Sequence, residues 1–380
     1  MESSGEELVE EWPQVEAEAP TEKAPASDPP SSDPFVEATV SRGLGAWLKA
    51  RTVCLLVSSY QSGRLILVGA DANGKVVISQ NRFDRAMGIA TTGDRLLLAT
   101  LHQLWVFRLS RQLGADQDML LIPQASYHTG FVNCHDVAWT GSNVPLFAST
   151  MFNCVATITA ESSFVPLWAP PFIEDLVPED RCHLNGLAVD GGRLRCVTAL
   201  GAESGRQAWR NHRSGGVVID VASKRVIVSD LWMPHSPRVH GQRLWLHESG
   251  RGSFGTIERG KYVEKLACPG YTRGLDFHQG VAAVGVSKPR AEAITGLPLE
   301  QRLAERKAKL QSAVLLFDTA NNSVVHSVLF RSVVEEIFDV AFLPGTSNPR
   351  LIHPTSSESA MAYHIGALTK ATPVKTKVLQ

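Results

Sequence analysis

Paired cysteines, long apolar runs and an excess of charge of either sign are all missing from this sequence, and each absence removes a class of protein. The six cysteines, Cys54, Cys134, Cys154, Cys182, Cys196 and Cys268, show no CxxC spacing, which excludes a zinc ribbon or a thioredoxin motif. The apolar stretches are strand-sized, well short of the roughly 20 residues that span a bilayer, so no membrane role is expected. Lys and Arg total 37 against 38 Asp and Glu, which leaves no basic footprint for nucleic acid. The opening MESSGEELVEEW is acidic and carries neither the basic nor the apolar region of a secretory signal. Reduced thiols and a cytoplasmic location are therefore expected. No P-loop, no GxSxG and no strand-to-helix GxGxxG occurs, so nucleotide-dependent and α/β-hydrolase chemistry lack support.

What the chain does have is a repeat. A segment reading small–apolar–small–apolar, turn, strand starts at Met87 (MGIATTGDRLLLAT), His135 (HDVAWTGSNVPLFAST) and Asn185 (NGLAVDGGRLRCVTA). It recurs at His235 (HSPRVHGQRLWLHES), Arg273 (RGLDFHQGVAAVGVS) and Phe338 (FDVAFLPG). The starts stand 48, 50, 50, 38 and 65 residues apart, the length of a propeller blade of four antiparallel strands. The sixth repeat stops after one strand, and TVCLLVSSY, GRLILVGAD and KVVISQ near the N-terminus supply the missing three. The prediction is an all-β fold, a six-bladed β-propeller closed by N- and C-terminal strands so that the ring has no open edge. Short Val-, Leu- and Ile-rich runs divided by Gly, Asp and Asn turns exclude an α/β alternative. Only residues 294–311 have helical composition, and they read as a short helical insertion. Residues 1–34, rich in Glu, Pro, Ser and Ala, read as a disordered tail, residues 35–350 as the propeller and residues 351–380 as a C-terminal extension.

Topology then locates a site. The lead-in to each innermost strand and the loop between second and third strands open onto the same mouth of the central channel. His135, His183 and His235 come from three consecutive blades, and Asn185, Glu335 and Glu336 from the same set of lead-ins. Imidazoles joined by a carboxylate suit a divalent transition metal such as Zn, Fe, Mn or Cu; the alternative is histidines that only bond neighbouring blades. Glu335, Glu336 and Asp136 are the candidate catalytic acids or bases. Arg273 and Arg213 are candidate anchors for an anionic group, with Arg181 and Arg290 nearby. Arg238 and Asp276 interrupt an otherwise small-residue position on adjacent blades and are expected to pair. Two loops, 200–216 and 287–311, are long enough to suggest a lid, and Trp209 on the first is the tryptophan expected to touch a ligand. Cys182 reads as a buried apolar residue, or as a thiol facing His135 across blades.

The segments HDVAW, SFVPLWAPPF, PEDRCHLNGLAV, MPHSPR, PGYTRGLDF and EEIFDV closely resemble a bacterial family of conserved hypothetical proteins, the domain-of-unknown-function 4915 family, over roughly residues 40–345. The resemblance implies no established activity. The segments that look characteristic of the family fall on the mouth, at His135, Asp136, Glu179, Asp180, His183, Asn185, His235, Arg273, Glu335 and Glu336. Two positions depart from it: Pro289 and Ala291 interrupt a stretch that tends to read SK-apolar-Arg-acidic, and Asn153 stands where an arginine-type residue is expected. In layout the chain also looks like the sugar-lactone hydrolase and strictosidine-synthase propellers, whose NG-containing strands supply a metal ligand; Asn185-Gly186 matches locally and the histidines do not. Two functions fit these residues. One is a metal-dependent enzyme acting on a small molecule or peptide, and the other a non-catalytic propeller that binds a peptide or protein partner on the same face.

Overall fold

The turns that the sequence writes between first and second strands set the hairpins. DGGR, HGQR and HQGV each place two residues at positive φ: Gly191 and Gly192 at 54° and 75°, Gly241 and Gln242 at 58° and 61°, Gln279 and Gly280 at 48° and 79°. Such turns carry the same twist as the strands they join, and they set Asp190 opposite Arg193, His240 opposite Arg243 and His278 opposite Val281. The computed structural model describes residues 33–111, 118–289 and 294–365 and arranges their strands in six blades.

From the channel outward, blade 1 is Ile89–Thr92, Arg95–Ala99, Gln103–Arg111 and Met119–His128, and blade 2 is Cys134–Trp139, Pro145–Ser149, Cys154–Thr157 and Val165–Trp168. Blade 3 is Leu184–Asp190, Arg193–Ala199, Gly216–Asp220 and Val226–Leu231, and blade 4 is Pro234–His240, Arg243–Glu248, Ser253–Glu258 and Lys261–Ala267. Blade 5 is Tyr271–His278, Val281–Ser287, Ala313–Asp318 and Ser323–Phe330. Blade 6 takes its innermost strand, Asp339–Pro344, from the C-terminal part and the other three, Val53–Ser59, Arg64–Ala70 and Val76–Arg82, from the N-terminal part. The predicted closure is what the structure has. Both chain ends also reinforce the neighbours of the closing blade: Ala38–Val40 adds an antiparallel fifth strand to blade 5, and Pro349–Leu351 a parallel one to blade 1. Leu351 and Ile352 are buried there, so packed chain continues past residue 350.

Packing explains why second strands read as unbroken apolar runs. In VCLLV, Val53, Leu55 and Val57 face the cluster shared with blade 5, while Cys54 and Leu56 face the one shared with blade 1. A strand covered on both faces has no polar side to alternate with.

At the start of each innermost strand the ring alternates close approach with a hydrogen bond. Asp136 of blade 2 accepts the Leu187 N–H of blade 3 at 3.0 Å, Ser236 of blade 4 accepts the Gly274 N–H of blade 5 at 3.0 Å, and Asp339 of blade 6 accepts the Ile89 N–H of blade 1 at 2.8 Å. The intervening blades carry Gly88, Gly186 and Gly274. A Cβ on Gly186 would stand 2.3 Å from Pro237 Cδ, and one on Gly274, at φ 83°, 2.7 Å from Val340 N.

Three findings differ from the sequence reading. Arg238 does not pair with Asp276. Its guanidinium reaches along the axis to Asp136, with bonds of 2.8 and 3.0 Å, and to Asp339 at 4.0 Å, while Asp276 accepts the Phe342 N–H at 2.7 Å. Two carboxylates, Asp136 and Asp339, lie within its reach, so the long side chain binds there rather than beside its sequence-aligned neighbour. A helix, Leu44–Ala50, was not foreseen; it buries Leu44 and Leu48 against blade 6. Within the insertion, a helix covers Pro298–Glu305, opened by a proline in its first turn. The predicted tail up to residue 32, Arg290 and residues 366–380 lie outside the described residues.

Candidate functional site

Left-handed residues feed the innermost strands at one mouth. Asn133, Asp180, His183, Met233 and Ser236 all have φ near 50°, a conformation that costs a non-glycine residue about 1 kcal/mol or more. They turn His135, His183 and His235 to a common end of the channel, and the structure brings their surroundings together. The His135 and His183 rings meet edge to face with centroids 4.7 Å apart, and His135 packs on Phe338 at 5.5 Å. Trp209 lies on His183 at 4.4 Å, and Tyr271 on His235 at 5.7 Å. The Arg273 guanidinium sits over the Phe338 ring at 3.5 Å, and Tyr60 stacks on the same ring at 5.9 Å.

Each histidine is held by Nδ1. In His135 it contacts Asn133 O at 3.1 Å and Thr150 Oγ1 at 2.8 Å, and that hydroxyl donates its own proton to Leu184 O of the next blade. His235 repeats the arrangement with Met233 O, Ser249 Oγ and Thr272 O. A carbonyl can only accept and the hydroxyl proton is already spent, so the network assigns the ring proton to Nδ1 in both. His183 Nδ1 lies 2.9 Å from both oxygens of Asp180. Among the described residues none of the three Nε2 atoms has a hydrogen-bond partner. Burial, with the Arg273 charge nearby, pushes the His135 and His235 imidazoles well below their usual range, so both are neutral at pH 7.

Arg273 Nη2 and Trp209 Nε1, two buried donors at this mouth, also lack hydrogen-bond partners among the described residues. Burial pulls the Arg273 guanidinium down from its ordinary value; Tyr271, Glu336, Asp339 and Tyr60 lie within electrostatic range of it, but among the described residues it forms no ion pair.

The other residues singled out in the sequence sit as follows. Glu335 is exposed and pairs with Lys288 at 3.2 Å. Asp136 lies beneath the mouth with both oxygens engaged by Arg238, Val137 N and Leu187 N. Asn185 takes the place of a histidine in blade 3, and both ends of its amide are engaged: Nδ2 donates to Pro234 O at 3.0 Å and Oδ1 accepts from Thr198 at 2.8 Å. Arg213 donates to Thr295 O at 3.1 Å, which links the two long loops. Arg181 pairs with Glu179 and Asp175. Cys182 is fully buried with its Sγ 3.5 Å from Asn153 Oδ1, and burial drives its thiol up, so it is inert.

Sequence reasoning missed the hydroxyls that end the second strands. Ser58, Thr150, Ser249 and Ser287 each donate to a carbonyl of the following blade, and Thr198 acts through Asn185. The signal was the Ser or Thr that closes each second-strand run.

Metal fit can be tested on these donors. Among the described residues no three His, Cys, Asp or Glu side chains converge closely enough to hold an ion, and Arg273 stands within electrostatic range of both His135 and His235.

The profile of a family described as a domain of unknown function, DUF4915, matches residues 42–352. The chain belongs to this family. No curated protein matches the sequence of this DUF4915 member. Among solved structures, a chain of a nidogen/laminin complex superposes with a TM-score of 0.50 at 8% identity, covering 77% of this chain and 99% of its own. A putative gluconolactonase gives 0.40 at 10% identity over 73% and 98%. Virginiamycin B lyase from Staphylococcus aureus gives 0.36 at 12% identity over 61% and 76%. At 8% identity the likeness of this DUF4915 protein to the nidogen/laminin chain is one of fold. No described helix is long and apolar enough to cross a membrane.

Proposed function

We propose that the histidine-lined mouth binds a small molecule, or the end of a peptide, through a carboxylate or phosphate group, with Arg273 as the anchor. The observation that carries this reading is the guanidinium itself: Arg273 is half-buried in the mouth, and its Nη2 is shielded from solvent with no hydrogen-bond partner among the described residues. A buried cation without a counter-charge is costly, and an anionic ligand supplies the missing partner through a charge-assisted bond. Trp209 Nε1 is a second donor without an acceptor. The Nε2 atoms of His135 and His235 are acceptors, suited to hydroxyl or amine groups on the same ligand. Thermal unfolding in the presence of phosphate, sugar phosphates, hydroxy acids and peptides with a free C-terminus tests this. A ligand at 100 times its Kd stabilises by about 2.7 kcal/mol, and Arg273→Gln should abolish the shift. If no anion raises the wild-type midpoint, the reading fails.

A divalent transition metal on His135, His183 and His235 is the second reading. It is favoured by one feature, that each ring has Nδ1 committed and Nε2 uncommitted, as ligating imidazoles are held. Metal analysis of untagged protein beside His135→Ala/His235→Ala decides it: near-stoichiometric metal lost in the double variant supports the metal, and wild-type protein that stays empty after incubation with Zn, Fe, Mn and Cu removes it.

A further inference from the structure

The three histidines are not equivalent, and the difference assigns them different work. His135 and His235 rest on neutral acceptors, a carbonyl and a hydroxyl each. His183 rests on a carboxylate, and the Asp180 carboxylate has no other hydrogen-bond partner among the described residues, its backbone N–H donating to Met151 O at 3.1 Å. Asp180 is almost buried, with its side chain 9% exposed, against 13% for His183. Both residues are at positive φ, and the turn between them folds the carboxylate back under the ring. The ring is fixed on three sides, by Asp180 at Nδ1, by the Trp209 indole on its face and by the edge of His135. Only Nε2 is left open.

We propose that His183 is a general base acting on the ligand that Arg273 anchors, with Asp180 as its positioning residue; the inference rests on the anion-binding reading above. Nε2 takes a proton from an O–H or C–H of the bound molecule while the bonding electron pair stays on the ligand. The imidazolium that results keeps its Nδ1 proton against Asp180, which stabilises the charge, and it returns the Nε2 proton to the ligand or to water. His135 and His235, neutral and protonated on Nδ1, accept hydrogen bonds from the ligand and hold it in place. The ligand class follows from these roles: a carboxylate or phosphate at one end, hydroxyl or amine groups beside it, and a removable proton near His183.

Carbethoxylation by diethylpyrocarbonate tests the pair, because the reagent is attacked by an uncommitted imidazole nitrogen. Rates would be followed residue by residue in the full-length protein by mass spectrometry at pH 7. His183 should react about tenfold faster than His135 and His235, and Asp180→Asn should slow it by about tenfold. Equal rates for the three rings in the wild-type protein, a comparison that needs no variant, overturn the assignment. So does an Asp180→Asn protein that is folded by circular dichroism and reacts at the wild-type rate. Thermal shift with inorganic phosphate separates this failure from that of the binding reading. Phosphate stabilisation lost in Arg273→Gln, with an unreactive His183, leaves the anchor standing and removes the base. A fast, Asp180-dependent His183 in protein that no anion stabilises supports the pair and removes the anchor.

Discussion

Two arginines enter the channel of this propeller, and their surroundings give them opposite parts. Arg238 forms two hydrogen bonds with Asp136 and approaches Asp339; Arg273 has an aromatic ring beneath it and an unpartnered Nη2. Replacing Arg238 by Met strands two buried carboxylates and should cost about 3–5 kcal/mol. Replacing Arg273 by Met removes a charge held in no ion pair among the described residues, at the loss of one cation–π contact, and should cost about 1 kcal/mol or less. Denaturant unfolding of the two variants checks the contrast, and equal losses would make Arg273 a structural tie. Asp339 adds a pH signature. Burial and the neighbouring Asp136 push its carboxyl up, against Arg238, to about 7, while the unfolded value is about 3.9. A folded value above the unfolded one gives a contribution that is complete below about pH 4 and lost as the pH rises through about 7. The stability of wild type minus that of Asp339→Asn should therefore fall from pH 4 to 7 and then level off. A flat difference would mean that the carboxyl is ionised throughout.

At the scale of elements, blade contacts decide what a left-handed position tolerates. Gly241 and Gly274 both have positive φ, 58° and 83°. A Cβ on Gly241 meets nothing within 4 Å, whereas one on Gly274 meets the backbone of Val340 and Asp339 at under 3 Å. Gly241→Ala should cost about 1 kcal/mol for the backbone alone. Gly274→Ala must also push apart blades 5 and 6, bringing the total to about 3 kcal/mol. Similar shifts in denaturation midpoint for the two would show that the inner strands are not packed this tightly. Ser249→Ala removes the hydroxyl that bonds both His235 Nδ1 and Thr272 O. It should destabilise by about 1–3 kcal/mol, because a buried carbonyl loses its donor. The hairpin turns were legible in DGGR, HGQR and HQGV because a turn type needs only local residues. The Leu44–Ala50 helix was not, since seven residues, under two turns, leave too few apolar repeats to read and are held by packing on blade 6.

For the whole molecule, closure is the element on which the rest depends. Blade 6 is completed only when Asp339–Pro344 pairs with Val53–Ser59, so the ring shuts with strands nearly 300 residues apart in sequence. Truncation after residue 337 removes that strand and exposes the edge of Val53–Ser59, and the product should lose its cooperative unfolding transition and associate. Truncation after residue 352 keeps the closing strand and the Pro349–Leu351 addition, and should melt within a few degrees of the full chain. Circular dichroism melting and size-exclusion chromatography compare the two.

By itself the sequence determined the number of blades, the closure and the mouth to which the three histidines belong. All of these follow from a repeat that recurs at blade length and from strand direction, which are properties of order along the chain. Only the tertiary structure decided which charges meet. Arg238 reaches Asp136 two blades away rather than Asp276 beside it, Asp136 and Asn185 prove to be engaged within the ring, and Arg273 Nη2 has no hydrogen-bond partner among the described residues. Hydrogen bonding and ion pairing depend on ångström distances and on side-chain direction across blades, and no spacing along the chain encodes those. The same holds for His183: its place at the mouth was written in the sequence, but the carboxylate behind it was placed there by the fold.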